Sequence, residues 1–213
     1  MSKNRQKIHR LTISEKLILK AAAQILVPNG NDYDEIDLST LAPHLARSES
    51  RMGIYDYNDA GTAVTPIVMT TVDTFVNLTN DGAGPATNTT YALPDVPDLY
   101  DTTGDQFDWS DLSLGDVVDM RIDILVTVNG NNHQLELALD VGIGDAGNYQ
   151  LCVHRENFKA SGTYAIVKMF SVYMGDLTTL NFPSRLMIKS DTGTTNEVVV
   201  NGWFCEATTR SDY

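Results

Sequence analysis

Cysteine is nearly absent from this chain, with Cys152 and Cys205 its only two in 213 residues. Two thiols cannot staple a small scaffold, so an apolar core has to hold the fold together. Both fall in apparent strands, where each reads as a small buried hydrophobe rather than a bridge or a nucleophile. Histidine is equally scarce, and His9, His44, His133 and His154 show no metal-ligand spacing, so each reads as a surface or capping residue. No apolar run approaches the ~20 residues that a membrane-spanning helix needs. The start of the chain is basic and polar without a cleavage site, which predicts synthesis in the cytoplasm and no membrane partner.

The motifs of catalysis are missing too. There is no G-x-S-x-G elbow, no phosphate-binding glycine loop and no cysteine beside a base. Gly82-Ala83-Gly84 runs into Pro85 in a non-helical stretch, so it cannot seat a phosphate at a helix N-terminus. Paired carboxylates could hydrolyse glycosides, but such acids need a partly apolar pocket, and these sit in loops or at solvent-facing positions. The expectation is a protein that is not an enzyme and carries no cofactor.

Positive charge is in short supply, with 15 Lys and Arg against 28 Asp and Glu and a net charge of −13. It is also unevenly spread: Lys3, Arg5, Lys7, Arg10, Lys16 and Lys20 face Glu15 alone in the first twenty residues. Arm and body therefore have opposite signs. An acidic body is a poor partner for nucleic acid, whereas a basic arm can dock on an acidic surface.

What the sequence does have is alternation. From Val118 every second residue is apolar through Met120, Ile122, Ile124, Val126 and Val128, and the pattern resumes at Leu135, Leu137, Leu139, Val141 and Ile143. Asn129-Gly130-Asn131-Asn132 between them predicts a hairpin turn. Further strands are predicted at 67–78, near Tyr149 to Val153, from Gly162, around Leu186 and Ile188, and at Val198 to Phe204. The Gly162 strand is apolar on both faces and reads as the most buried. About eight strands with turn signals between them predict an all-β, antiparallel jelly-roll sandwich.

Ahead of it, Ser14 reads as an N-cap and Glu15 to Val27 as a short amphipathic helix stopped by Pro28-Asn29-Gly30. Residues 31–63 show no sustained period and read as a linker. The division expected is thus a basic, helical arm and linker over 1–60 and a jelly roll over 61–213. Between Asn80 and Asp116 the chain is rich in Gly, Pro, Asp and Thr. Asp95, Asp98, Asp101, Asp105, Asp108 and Asp111 suggest calcium chemistry, but their spacing fits no known calcium loop, and a solvated or assembly-facing loop is the preferred reading. Tyr91, Tyr100, Phe107 and Trp109 could offer stacking surfaces to a glycan, or Phe107 and Trp109 could plug the end of the sandwich.

The segment Phe158-Lys159-Ala160-Ser161-Gly162-Thr163-Tyr164-Ala165-Ile166 resembles the opening of a central strand in C1q/TNF-like jelly rolls, and Asn201-Gly202-Trp203-Phe204 is similar to their closing strand. The likeness covers roughly the C-terminal half, without the signal peptide or collagen-like stem of the secreted members. Similar jelly rolls occur as trimeric surface proteins of tailed bacteriophages. The resemblance implies a homotrimeric capsid decoration or cement protein on the virion surface, with the major capsid protein or another virion protein as partner. Lys3, Arg5, Lys7 and Arg10 would dock electrostatically, and Leu17, Ile18, Ile25 and Leu26 through apolar contact. The alternatives are a receptor-binding or glycan-binding knob that uses Tyr100, Phe107 and Trp109, and a jelly-roll coat protein.

Overall fold

Strand residues whose side chains alternate between oil and water need a second apolar layer, and here two sheets supply it for each other. The computed structural model describes residues 24–29, 32–37, 50–58, 65–79, 86–193 and 195–210. It divides into two units, residues 1–48 and residues 49–212.

In the first unit, β1 (Gln24–Asn29) pairs antiparallel with β2 (Asp32–Asp37), in register from Gln24 with Asp37 to Asn29 with Asp32. This corrects the expected helix at its end, since Gln24 to Val27 are strand. Ile-Leu-Val before Pro28 is better served by an extended backbone, because β-branched residues lose rotamer freedom in a helix. Residues 1–23 lie outside the described residues.

The second unit is an all-β, antiparallel jelly-roll sandwich. Its strands are β3 (Ser50–Asn58), β4 (Ile67–Met69), β5 (Val76–Asn77), β6 (Ala86–Tyr91), β7 (Tyr100–Asp101), β8 (Gln106–Phe107), β9 (Val117–Val128), β10 (His133–Val141), β11 (Tyr149–Phe158), β12 (Gly162–Tyr173), β13 (Ser184–Ser190) and β14 (Asn196–Arg210). A five-residue helix, α1 (Leu177–Asn181), is capped by Asp176, whose side chain accepts from the Thr179 N–H. One sheet runs β12-β9-β14-β3-β6 with β4 beside β14, and the other β11-β10-β13-β8-β7 with β5 beside β13. Among the described residues no helix is long and apolar enough to cross a membrane.

The inward residues of β9, from Val118 through Met120, Ile122, Ile124 and Val126 to Val128, are all buried, as the alternation requires. So are Leu135, Leu137, Leu139 and Val141 of β10. The two strands do not form the expected hairpin. β9 pairs with β12 and β14, and β10 with β11 and β13, so residues 129–132 cross from one sheet to the other. Alternation fixes which face is apolar and leaves the neighbour open; here the two apolar faces meet across the core. His133, expected on the surface, is buried at this crossover with its Nδ1 3.2 Å from Asn196 Oδ1. The same oxygen accepts the Asn129 N–H at 2.9 Å, and Asn196 Nδ2 donates to Ser190 Oγ at 2.9 Å.

Three more expectations change. Ser50–Asn58, placed in the linker, is a full strand paired with β14 from Ser50 with Arg210 to Asn58 with Gly202. Its Tyr55 and Tyr57 are buried, and they alternate with Asp56 and Asn58, which hid the strand among the polar residues of the segment. β12 is an edge strand with its outward side exposed, because an apolar residue is covered only where another layer lies over it. Cys152 is exposed on β11, whereas Cys205 is buried, and both are free thiols. Gly202 marks a bulge in β14: at φ +148 a Cβ there would stand 2.4 Å from the Tyr57 carbonyl oxygen.

Candidate functional site

Two surfaces of the sandwich are built in ways that packing alone does not demand. The first is an acidic cleft of about 230 Å³ lined by Asp98, Tyr100, Asp101, Asp108 and Asp111. Here β7 and β8 make a small hairpin, and Arg185 holds its turn by donating from Nε to the Asp105 carbonyl at 3.3 Å and from Nη2 to the Gly104 carbonyl at 3.2 Å. The carboxylates serve the loop's own backbone. Asp101 Oδ1 accepts the Thr103 N–H at 2.8 Å, Asp108 Oδ1 the Ser110 N–H at 3.0 Å, and Asp98 Oδ1 the N–H groups of Leu99 and Tyr100 at 2.8 and 3.2 Å. These are turn caps of the kind Asp makes wherever a chain reverses tightly.

Asp98 also accepts the Tyr57 hydroxyl. Burial, and then this bond to Asp98, holds the Tyr57 phenol well above its usual range, so the hydroxyl keeps its proton and donates. Two residues earlier on the same strand, the Tyr55 hydroxyl donates to the Val96 carbonyl at 2.6 Å and accepts the Leu93 N–H at 3.3 Å. The two tyrosines of β3 thereby pin the 93–100 loop to the core. Among the described residues no group of three or more His, Cys, Asp or Glu side chains is arranged to hold a metal ion.

Tyr100, Phe107 and Trp109 are buried, so of the two readings open for Phe107 and Trp109, a face for a glycan and a plug at the sandwich end, the structure has the plug. Phe107 and Trp109 stack at 5.3 Å and 3° between planes, Tyr100 meets Phe107 edge-on at 4.9 Å, and Trp203 closes the cluster 6.0 Å from Phe107. Trp109 Nε1 donates to Ser184 Oγ at 3.0 Å. Rings that fill the sandwich end cannot present a face to a sugar. Their spacing puts residues 107 and 109 on one side of an extended chain without saying whether that side is covered. Tyr91, 70% exposed, is the open aromatic of that group.

The second surface is the outward side of β12, β9 and β14. The register stacks its residues in rows: Ala165–Leu125–Val199, then Met169–Arg121–Phe204, then Ser171–Asp119–Glu206, then Tyr173–Val117–Thr208. Met169 is 75% exposed, Tyr173 60% and Val167 53%. The Arg121 guanidinium lies 5.1 Å from the Phe204 ring centroid. Arg121 has two carboxylates on its own strand and outward side, Asp119 bonded by the Ser171 hydroxyl and Asp123 by Asn201 Nδ2 at 2.9 Å.

Of the expected arm residues, Lys3, Arg5, Lys7, Arg10, Leu17 and Ile18 lie outside the described residues. Ile25 and Leu26 lie in β1, opposite Ile36 and Glu35.

No family model matches this chain, and no curated protein does. Among solved structures it is similar to the CBM22-1 xylan-binding domain from Paenibacillus barcinonensis Xyn10C, at 10% identity and TM-score 0.33, over 50% of this chain and 65% of that one. It is also similar to a chain of the T13 IBDV viral particle, at 8% identity and TM-score 0.37, over 87% of this chain and 36% of that one. A third likeness is Eiger TNF from S. frugiperda, at 10% identity and TM-score 0.34, over 76% of this chain and 94% of that one. The chain thus spans less than two thirds of the length of the first two. These likenesses are loose, and the jelly-roll assignment rests on this chain's own strand order.

Proposed function

We propose that this chain is a structural protein of a virus particle, without catalytic activity of its own. In the form we favour it is a homotrimeric decoration or cement protein of the kind tailed bacteriophages carry on the capsid surface. Residues 1–48 attach it to the major capsid protein or another virion protein, and the jelly roll, which takes in β3, is displayed outside.

The observation that carries this reading is the division of labour along the chain. A basic N-terminal stretch belongs to one unit, and an acidic, self-sufficient sandwich forms the other. A basic arm is drawn to acidic surfaces, and several arms on one oligomer bind by avidity rather than by strong single contacts. Attachment then adds contact area between capsid subunits and raises the cost of separating them.

The test is co-sedimentation of the full chain with particles of the virus that encodes it. The wild type is expected to lose attachment as salt is raised, and the quadruple variant Lys3→Glu, Arg5→Glu, Lys7→Glu, Arg10→Glu to have lost it already at low salt. Attachment that survives the four reversals at every salt concentration sinks the arm as an anchor. The glycan-binding alternative is weakened by the burial of Tyr100, Phe107 and Trp109.

A further inference from the structure

A strand at the end of a sheet leaves one side of its backbone without a partner strand, and in β12 that side is long. Among the described residues β12 pairs with β9 alone, in unbroken register from Gly162 with Val128 to Tyr173 with Val117. In an antiparallel pair, successive residues aim their N–H and C=O groups alternately toward the partner and away from it. Just beyond Tyr173 the Met174 N–H donates to the Asp116 carbonyl at 2.9 Å, so the even-numbered residues of β12 bond to β9. Thr163, Ala165, Val167, Met169 and Ser171 then aim their amides at the free edge. We propose that this edge binds an extended segment of another protein, which adds to the sheet as a further antiparallel strand. The site belongs to the sandwich and is additional to the attachment proposed for the arm.

The side chains beside that backbone say what the segment must carry. Even-numbered residues of β12 face the inside of the sandwich, where Ile166 and Val172 are buried but Tyr164 and Phe170 are only partly covered. On β11, which meets β12 where Phe158 packs on Tyr164 at 4.7 Å, Tyr149 and Leu151 also lie on the inner side, opposite Val141 and Leu139. They are nonetheless 44% and 38% exposed. The inside of the sandwich is thus left open along this flank. A strand added to β12 lays its inward residues over the opening, and apolar ones at alternate positions fit it.

Charge separates this partner from a second copy. Lys168 shares the inner side with its buried neighbour Ile122, and among the described residues it makes no ion pair within 4 Å. A carboxylate directly opposite it on an added strand favours pairing, and a cation there opposes it. β12 contains no Asp or Glu, so a second β12 brings no carboxylate to that position. The segment that fits is apolar at alternate positions, with one acid among them.

The experiment uses the full-length protein and two labelled nonapeptides, Val-Thr-Val-Thr-Glu-Thr-Val-Thr-Val and the same sequence with Lys at its centre. Centred on Lys168, each spans Tyr164 to Val172 and sets its valines against the inward residues. Fluorescence anisotropy is expected to show binding of the Glu peptide, and binding of the Lys peptide about tenfold weaker. Lys168→Glu is expected to reverse that order. Hydrogen exchange is expected to show the Glu peptide protecting the amides of Ala165, Val167, Met169 and Ser171. Val167→Pro removes one free-edge N–H and leaves the bonds to β9, so the variant, verified as folded by circular dichroism, is expected to lose the peptide. If Val167→Pro does not fold, the reversal by Lys168→Glu carries the test. Failure of both peptides to bind, equal binding of the two, or odd-numbered amides that stay unprotected in the complex overturns the proposal. Odd-numbered amides that become protected in the protein alone as its concentration rises would give the edge to a second copy, and overturn it too.

Discussion

The two strands on the open flank of the sandwich, β11 and β12, are consecutive in the chain and both edge a sheet, yet they are built differently. β11 is interrupted by a register shift opposite Leu137 and Ala138, and it carries His154, Arg155 and Glu156. Arg155 pairs with Glu136 at 2.6 Å, and Lys189 reaches the same carboxylate at 3.5 Å. β12 runs against β9 in unbroken register from Gly162 to Tyr173 and has Lys168 as its one charge. A bulge and charges are how sheets keep an edge from pairing with a stranger; a long, straight, apolar edge invites company. The difference teaches that one edge of this flank is guarded by a bulge and by charge, and the other is not.

The comparison can be broken first within β12 itself. Ile166 on its inner side is buried, so Ile166→Ala is expected to cost about 2–5 kcal/mol in denaturant unfolding. Met169→Ala on the outer side is expected to change the unfolding of the separated single chain by no more than about 0.5 kcal/mol. Equal losses at the two positions would mean that the outward face is already covered within one chain.

On β11 the expected effect is smaller. Arg155→Gln removes an ion pair whose arginine is more than half exposed, so a loss of about 1 kcal/mol or less is expected. A larger loss would make the ion pair a structural element rather than an edge guard.

Acid gives a third test. Burial alone would raise the Glu136 carboxyl, but Arg155 and Lys189 more than offset this and hold it below its usual 4.5. A carboxyl depressed in the folded state contributes stability that is present above its unfolded value and lost as pH falls through its folded one. The protection of β11 amides, taken relative to intrinsic exchange at each pH, is therefore expected to fall below about pH 4.5, before that of β9. Protection that falls in both strands together would erase the contrast.

The mildest test is chemical. Cys152 on β11 is exposed, while burial pushes the Cys205 thiol up in pKa and keeps reagent away. A thiol reagent is expected to titrate one cysteine in the native protein and two after denaturation. Two cysteines titrated before denaturation would mean that Cys205 is reached through the folded sandwich.

Much of the sandwich was legible because burial on one side of a strand writes itself into every second residue. Val118 to Val128 and Leu135 to Val141 could be assigned, and their inward faces named, from alternation alone. The N-terminal segment misled, since Gln24 to Val27 suits a helix by composition and a strand by what it pairs with. β3 was missed because its outward Asp56 and Asn58 resemble loop residues. The ring cluster of Tyr100, Phe107 and Trp109 was visible as aromatics in a polar loop, with nothing to say whether the loop turned them in or out.

By itself, then, the sequence determined the class of fold, the inner faces of the long strands and the opposition of charge between arm and body, all of which are properties of neighbours along the chain. Tertiary structure alone decided that β9 and β10 oppose each other across the core rather than pair. It also turned the loop aromatics inward and left Met169 and Phe204 in one row with Arg121. The physical reason is that alternation records whether a side chain is covered, while what covers it is set by contacts between residues far apart in the chain.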